Sequence, residues 1–516
     1  MRRLVILGVG AVGFGLLLTF NVGGYRYGIS DQAFYIPVIL RQLTPDLYPH
    51  DASLIAAQDR FFLFDDWFAG LLHVTGVSIP TAFLAGYSVT LLLLFGAIVG
   101  IGRAMYTSWW TVAALAIAMT MRHRIPDTAV NTFESYFHPR VLAFTLGLWA
   151  VFALLRGRSW LALSITTIAL LAHPTTGLWF VIWVGTAVIV ADRAARPALI
   201  ALAAGAAVIV VWMLVGPLRS QLLVMDAAWW SALSSKDYLL ATNWPLVTWI
   251  GNLAIALLIA AIYRYRRAIS IRSPAEDGLV VGCAVLLGLF LLSVPVAAVH
   301  IALVVQLQFS RIFWILDVFA SCYLVWLLVE SPVWARARAA WLRVTPRLAI
   351  ISLLLLLALG RGGYVMLVER AGQPIVQPYL AANDWHDVMQ WASRQPVGTH
   401  FLAEPDHASR YGTSVRAASG RDVYLEIIGD TGIAIYSEEI ATRLSTRLRD
   451  LGDFASLDAA RVLKLADRYA LDFLITEQAL DLPETRRTGR FHIYDLAGRN
   501  QRVRRVSARD TAQRGN

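Results

Sequence analysis

A small set of carboxylates, histidines and guanidinium groups stands out in a mostly apolar chain. Asp31 lies in Ser30-Asp31-Gln32, directly after the first apolar stretch. Residues 122–140 carry Arg122, His123, Arg124, Asp127, Glu134, His138 and Arg140. His173-Pro174 marks a further turn, and His300, Gln306, Gln308 and Arg311 precede an apolar run that contains Asp317. A carboxylate can take or give a proton. The planar arginine fork suits phosphate, because it donates two parallel hydrogen bonds. A charge at the centre of a membrane helix costs about 2.5–3.5 kcal/mol, so Asp317 is expected to face water or to pair with an arginine. Each residue also has a structural reading. Ser30-Asp31 is a good cap for a helix beginning near Ala33. Asp317 could fix helix packing through a salt bridge, and Arg311 could snorkel at the membrane interface. Glu134, His138 and Arg140 could form a hydrated loop. No pair of histidines has the spacing of a zinc motif. Cys283 and Cys322 both lie in apolar stretches and read as packing residues.

The elements that must position these groups are membrane helices. The hydrophobic fraction is 57% and the charged fraction 16%, too little polar surface for a soluble chain of 516 residues. Apolar runs long enough to cross a hydrocarbon core recur through the first 370 residues. In lipid the backbone must satisfy its own hydrogen bonds, so the spans are expected to be α-helices. They are drawn at 4–22, 81–102, 104–121, 140–155, 159–172, 175–191, 198–216, 246–263, 279–298, 312–329 and 347–367. The pair 140–155 and 159–172 is short, consistent with a thin or partly re-entrant hairpin. Residues 297–309 are too short to span and are expected outside or at the interface. Met1-Arg2-Arg3 followed by an apolar run imitates a secretory signal. No small-x-small site follows within 19–25, so an uncleaved signal anchor is expected.

The net charge of +10 does not point to nucleic acid, because the positive charge sits at the ends of spans. With Arg2 and Arg3 inside, about fifteen arginines fall on the cytoplasmic side, Arg336, Arg338 and Arg343 among them. About six basic residues fall in the short outside loops. With eleven spans the tail then lies outside. The first outside loop, 21–80, reads as interfacial helices, one over 33–43. Phe61, Phe62, Phe64, Trp67 and Phe68 form an aromatic cluster expected at the headgroup level. From 371 to 516 charges become frequent. Helices are expected over 385–394, 438–449 and 457–469, and short strands over 400–403, 423–427, 473–475 and 491–494. The fold class is thus mainly α. It is a polytopic bundle over 1–370 that includes the long loop, followed by a soluble α/β domain over 371–516.

On these features the chain resembles the GT-C class of membrane glycosyltransferases, which take sugars from polyprenyl-phosphate-linked donors. The resemblance rests on the outward-ending topology, on Asp31 within Ser30-Asp31-Gln32-Ala33-Phe34-Tyr35 in a long outside loop, on the acidic second loop and on the α/β tail. It implies Asp31 as the catalytic base, with Asp127 or Glu134 as a second acidic residue. The leaving phosphate that this chemistry implies needs a cation, for which Arg311, Arg140, Arg122 and Arg124 are available, Arg311 foremost because it stands about two turns from Asp317; Gln32, His138, His173 and Asp317 are the other substrate-binding candidates. The second loop lacks a paired Asp-Asp or Glu-Asp, and a divalent metal, Mg or Mn, is left open. The partners implied are a lipid-linked sugar donor, a glycan, lipid or protein acceptor, and membrane lipids. The implied place is the outer face of a bacterial inner membrane, with a periplasmic tail. Two rivals come from other classes: a transporter or flippase for a lipid-linked sugar, and a noncatalytic scaffold of envelope polysaccharide assembly. The sequence shows no repeated halves, which disfavours the transporter.

Overall fold

A computed structural model describes residues 2–60, 63–216, 218–234, 236–333 and 346–497. Phe61 and Phe62 of the aromatic cluster, and Arg336, Arg338 and Arg343 of the inner-side count, lie outside the described residues. So do the side chains of Arg2 and Arg3.

Each of the eleven apolar stretches is helical. The helices are Arg2–Asn21, Ile79–Met105, Trp109–Thr120, Pro139–Leu155, Ser159–Ala172, Pro174–Ala191, Arg196–Val215, Leu246–Ala268, Pro274–Ala298, Ile312–Val329 and Pro346–Tyr364. Among the described residues, eight helical stretches are long and apolar enough to cross a membrane. Trp109–Thr120, Pro139–Leu155 and Ser159–Ala172 are shorter. The expected span 104–121 therefore contracts. Its first residues instead form a turn around the Glu330 carboxylate, which accepts from the Thr107 and Ser108 amides and from the Thr107 and Thr111 hydroxyls. Ser108 then caps the helix by accepting from the Trp110 N–H at 3.2 Å. The remaining 12 residues reach only about 18 Å. Residues 302–307 form a short helix that leads into the run containing Asp317.

Contacts divide the chain into two compact units. One comprises Met1–Tyr25, Ala82–Val224 and Lys236–Val376; the other comprises Arg26–Thr81, Met225–Ser235 and Gln377–Asn516. Near residue 370 composition and packing nearly agree, since the second unit resumes at Gln377. Residues 26–81 group with the tail instead of with the helical bundle, and a buried ion network explains why. Asp51 is fully buried and accepts from Arg416 Nε at 2.7 Å, from the Val423 N–H at 3.2 Å and from Arg443. Arg416 also donates to Asp430 at 2.7 Å. Burial opposes ionisation of Asp51, but the Arg416 and Arg443 charges outweigh it and hold the carboxyl well below its usual range. Composition marks residues 26–81 as amphipathic but cannot show which surface they bury. The loop does contain helices, Gln32–Leu43, Ala52–Asp59 and Leu63–Thr75. Phe64 and Phe68 are buried and stack at 5.3 Å, while Trp67 is exposed.

The tail builds a five-stranded sheet. In chain order its strands are β1 (His400–Leu402), β2 (Asp422–Val423), β3 (Phe473–Thr476), β4 (Glu484–Thr488) and β5 (Phe491–Asp495). Their spatial order is β2-β1-β3-β5-β4, with β1 parallel to both β2 and β3 and the last two pairings antiparallel. Helix Asp384–Ser393 packs Trp385, Val388 and Met389 onto Phe401, Val423, Ile475 and Ile493. The expected strand 423–427 stops at Val423, and Ile427–Ala434 is helical. Strand β4 was not expected. Its sequence, Glu-Thr-Arg-Arg-Thr, has no apolar face, as befits an exposed sheet edge.

Candidate functional site

In the helical unit three helix starts meet. Helices Pro139–Leu155 and Pro174–Ala191 begin alike, each with His at the N-cap and Pro at the first helical position. His138 Nδ1 accepts from the Arg140 N–H at 2.9 Å, and His173 Nδ1 accepts from the Thr176 N–H at 3.3 Å. The two rings lie 6.1 Å apart. Accepting at Nδ1 leaves the proton of a neutral imidazole on Nε2, so both rings are set as Nε2–H donors. The third start is Arg311, at the N-cap of Ile312–Val329. Its Nη1 donates to Thr175 Oγ1 at 3.4 Å, and the Thr175 hydroxyl lies 3.3 Å from His173 Nδ1. Because that nitrogen already accepts from Thr176, the hydroxyl is the donor. Arg140 donates to Glu134 Oε1 at 3.4 Å, and Asn131 Nδ2 donates to the same oxygen at 3.3 Å. Glu134, His138, Arg140, His173 and Arg311 are each at most 9% exposed, so the charges of Glu134, Arg140 and Arg311 act in a low dielectric.

Aromatic packing holds the first turns of these helices together. Phe144 stacks on Trp314 at 3.7 Å and meets Phe180 edge-on at 5.4 Å; Trp179 lies 4.8 Å from Phe309. Gly177 permits the tight entry, since a Cβ there would stand 2.2 Å from the Leu170 Cα.

Asp127 and Asp317 make other contacts. Residues 124–125 and 130–131 form a small antiparallel hairpin with Asp127 in its turn. The Asp127 carboxylate accepts from Thr248 Oγ1 at 2.5 Å, and Asn252 Nδ2 donates to the Pro126 carbonyl, which fastens the turn to helix Leu246–Ala268. Asp317 pairs with His123 Nδ1 at 2.7 Å instead of with an arginine. Burial works to lower the His123 pKa, but hydrogen bonding and charge from Asp317 prevail and raise it. His123 was among the second-loop residues in the sequence but had no partner there.

Asp31 and Gln32 belong to the other unit. Asp31 is half-buried at the start of Gln32–Leu43, and its side chain makes no cap hydrogen bond. The capping explanation therefore fails. Gln32 is buried and its Oε1 accepts from the Gly28 N–H at 2.6 Å. Gly28 has φ +81°, and a Cβ there would lie 2.4 Å from Leu380. Gln32 thus closes the turn that sets Asp31. Ser30, directly before Asp31, has φ +51°, and Asp127, Ala129, His300 and Gln308 also have positive φ. Such backbone is sparsely populated for residues with a Cβ and gathers at functional sites. Here it falls repeatedly in the polar segments that the sequence singled out.

Among the described residues, no three His, Cys, Asp or Glu groups converge to hold a metal ion. Glu134 is paired with Arg140, and Asp127 is bonded to Thr248. Thr175, which bonds Arg311 and His173, is the neighbour that sequence reasoning missed; its signal was the His173-Pro174-Thr175-Thr176 run, read only as a turn.

No protein-family model and no curated protein matches the sequence. Among solved structures, the chain is similar to the cryo-EM structure of arabinofuranosyltransferase AftD from mycobacteria, at TM-score 0.40 and 18% identity. The match covers 78% of this chain and 30% of that chain. A structure of the AftD mutant R1389S, class 2, matches at TM-score 0.38 and 17% identity, over 78% and 31%. The match thus spans under a third of the length of those chains.

Proposed function

We propose that the protein is a membrane glycosyltransferase that moves a sugar from a polyprenyl-phosphate-linked donor to a glycan, lipid or protein acceptor at the outer face of a bacterial inner membrane. The observation that carries this reading is the meeting of three helix starts with Arg140, Arg311 and two imidazoles set as Nε2–H donors. Helix N-termini and guanidinium groups both favour an anion. A phosphate leaving group develops negative charge as its bond to the sugar breaks, so fixed donors in a low-dielectric site stabilise the transition state more than the ground state.

In this reading a carboxylate takes the proton of the acceptor hydroxyl. The acceptor oxygen attacks the anomeric carbon, and the carbon–oxygen bond to phosphate breaks with its electron pair leaving on phosphate. Attack opposite the leaving group inverts the anomeric centre. Asp31, half-buried at the start of Gln32–Leu43, is the base that the resemblance selects. Glu134 serves instead to hold Arg140. No step passes through a metal.

The test is transfer of radiolabelled sugar from a polyprenyl-phosphate donor by purified protein. Asp31→Asn is expected to abolish transfer while the thermal midpoint stays unchanged. Full transfer by that variant would remove Asp31 from the role. No transfer by the wild-type protein with any sugar donor would favour the noncatalytic scaffold.

A further inference from the structure

We propose that the tail domain carries a binding site for a neutral, hydroxyl-rich ligand, a saccharide, at the carboxyl ends of β1 and β3. The chain passes from β1 to β2 on one side and then crosses to β3 on the other, giving the order β2-β1-β3. In open α/β sheets such a reversal leaves a crevice beyond the strand ends, where ligands bind. Here that place is furnished with paired donors and acceptors. Glu404 follows β1 and Glu477 directly follows β3. Arg410 reaches both, with Nη1 3.3 Å from Glu404 Oε2 and Nη2 3.6 Å from Glu477 Oε2. Arg490 Nε lies 3.4 Å from Glu477 Oε1. The Arg410 and Arg490 guanidinium groups lie 5.5 and 5.2 Å from the Tyr411 ring.

Fold stability does not account for this arrangement. The two arginines are more than half exposed, and exposed ion pairs contribute about 0–1 kcal/mol each. A phosphate ligand is disfavoured. No glycine-rich turn follows β1, and Glu404, Asp406 and Glu477 outnumber Arg410 and Arg490. A sugar hydroxyl fits, because it donates to a carboxylate and accepts from a guanidinium at once. The site goes beyond the transferase reading and does not depend on it, since binding is measured without turnover.

The experiment uses the full chain in detergent, with no donor present. Neutral tri- to hexasaccharides of glucose, mannose, galactose and xylose are screened by saturation-transfer NMR, with inorganic phosphate in parallel. At least one saccharide is expected to bind, with affinity weakened about tenfold or more in Glu404→Gln/Glu477→Gln. Arg490→Ala, which trims a half-exposed side chain, is expected to weaken it in the same direction with the thermal midpoint retained. The proposal fails if no saccharide binds, if the variants bind as the wild type does, or if phosphate binds in an Arg410-dependent way.

Discussion

The two His-Pro steps show how much one side-chain nitrogen decides. With Nδ1 accepting a backbone N–H, each neutral imidazole carries its proton on Nε2. Asparagine also caps well, so His173→Asn is expected to keep stability within about 1 kcal/mol. Transfer should nonetheless fall about 10–100-fold through loss of the Nε2–H donor. Measuring both in one preparation separates the two roles. Arg311→Lys keeps the charge but loses the fork, and a drop of about 100-fold in kcat is expected, with a smaller change in KM. The His123–Asp317 pair gives a pH dependence. The His123 pKa is raised in the fold, so the pair's contribution is full below the unfolded value near 6.5. It is lost as pH rises through the folded value. The gap in thermal midpoint between wild type and His123→Gln should therefore be widest in mild acid and narrow towards alkaline pH. A gap that widens with pH would contradict the assignment.

At the scale of elements, the site depends on how closely helices enter one another. Helix Pro174–Ala191 starts against the end of Ser159–Ala172, and Gly177 leaves no room for a methyl group against the Leu170 backbone. Gly177→Ala is expected to cost about 1–3 kcal/mol and to lower transfer, because backbone cannot yield as a flexible side chain can. In contrast, the mixed arginine-rich turn between Leu246–Ala268 and Pro274–Ala298 is partly internal. Arg266, one of the residues that orient the chain by sequence, is buried in a bidentate pair with Glu276 at 2.7 and 3.0 Å and lies over Trp326 at 4.5 Å. Arg266→Ala is expected to destabilise the bundle by about 3–5 kcal/mol, since it strands the Glu276 charge. The loss would show as a lower thermal midpoint with no specific effect on the transfer step.

For the whole molecule, the excess of arginine on one set of loops predicts that the tail lies outside the cytoplasm. A periplasm-dependent phosphatase fused after residue 497 should be active. The same reporter in the turn between Leu246–Ala268 and Pro274–Ala298 should be inactive. The opposite pattern would place the proposed chemistry on the wrong side for an outer-face donor.

Hydropathy alone determined that the eleven apolar stretches before residue 370 are helical and where most of them lie, because burial in lipid leaves the backbone no alternative. Alternation and charge were enough to place β1, β3 and β5 and the helices Asp384–Ser393, Glu438–Leu451 and Ala459–Tyr469, though not His407–Tyr411 or Val415–Ser419. They failed at β4, whose exposed edge carries no apolar pattern, and at Val423–Ile427, where an apolar run is helical from Ile427. The residue types at the site were also legible: Glu134, His138, Arg140, His173 and Arg311 were all singled out. Tertiary structure decided which of them meet. It gave Asp317 to His123, Asp127 to Thr248 and Thr175 to Arg311, and it joined Asp51 to Arg416 across 365 residues of chain. Partners brought together by packing leave no spacing in the sequence, so a carboxylate read alone keeps every role open until its neighbour is known.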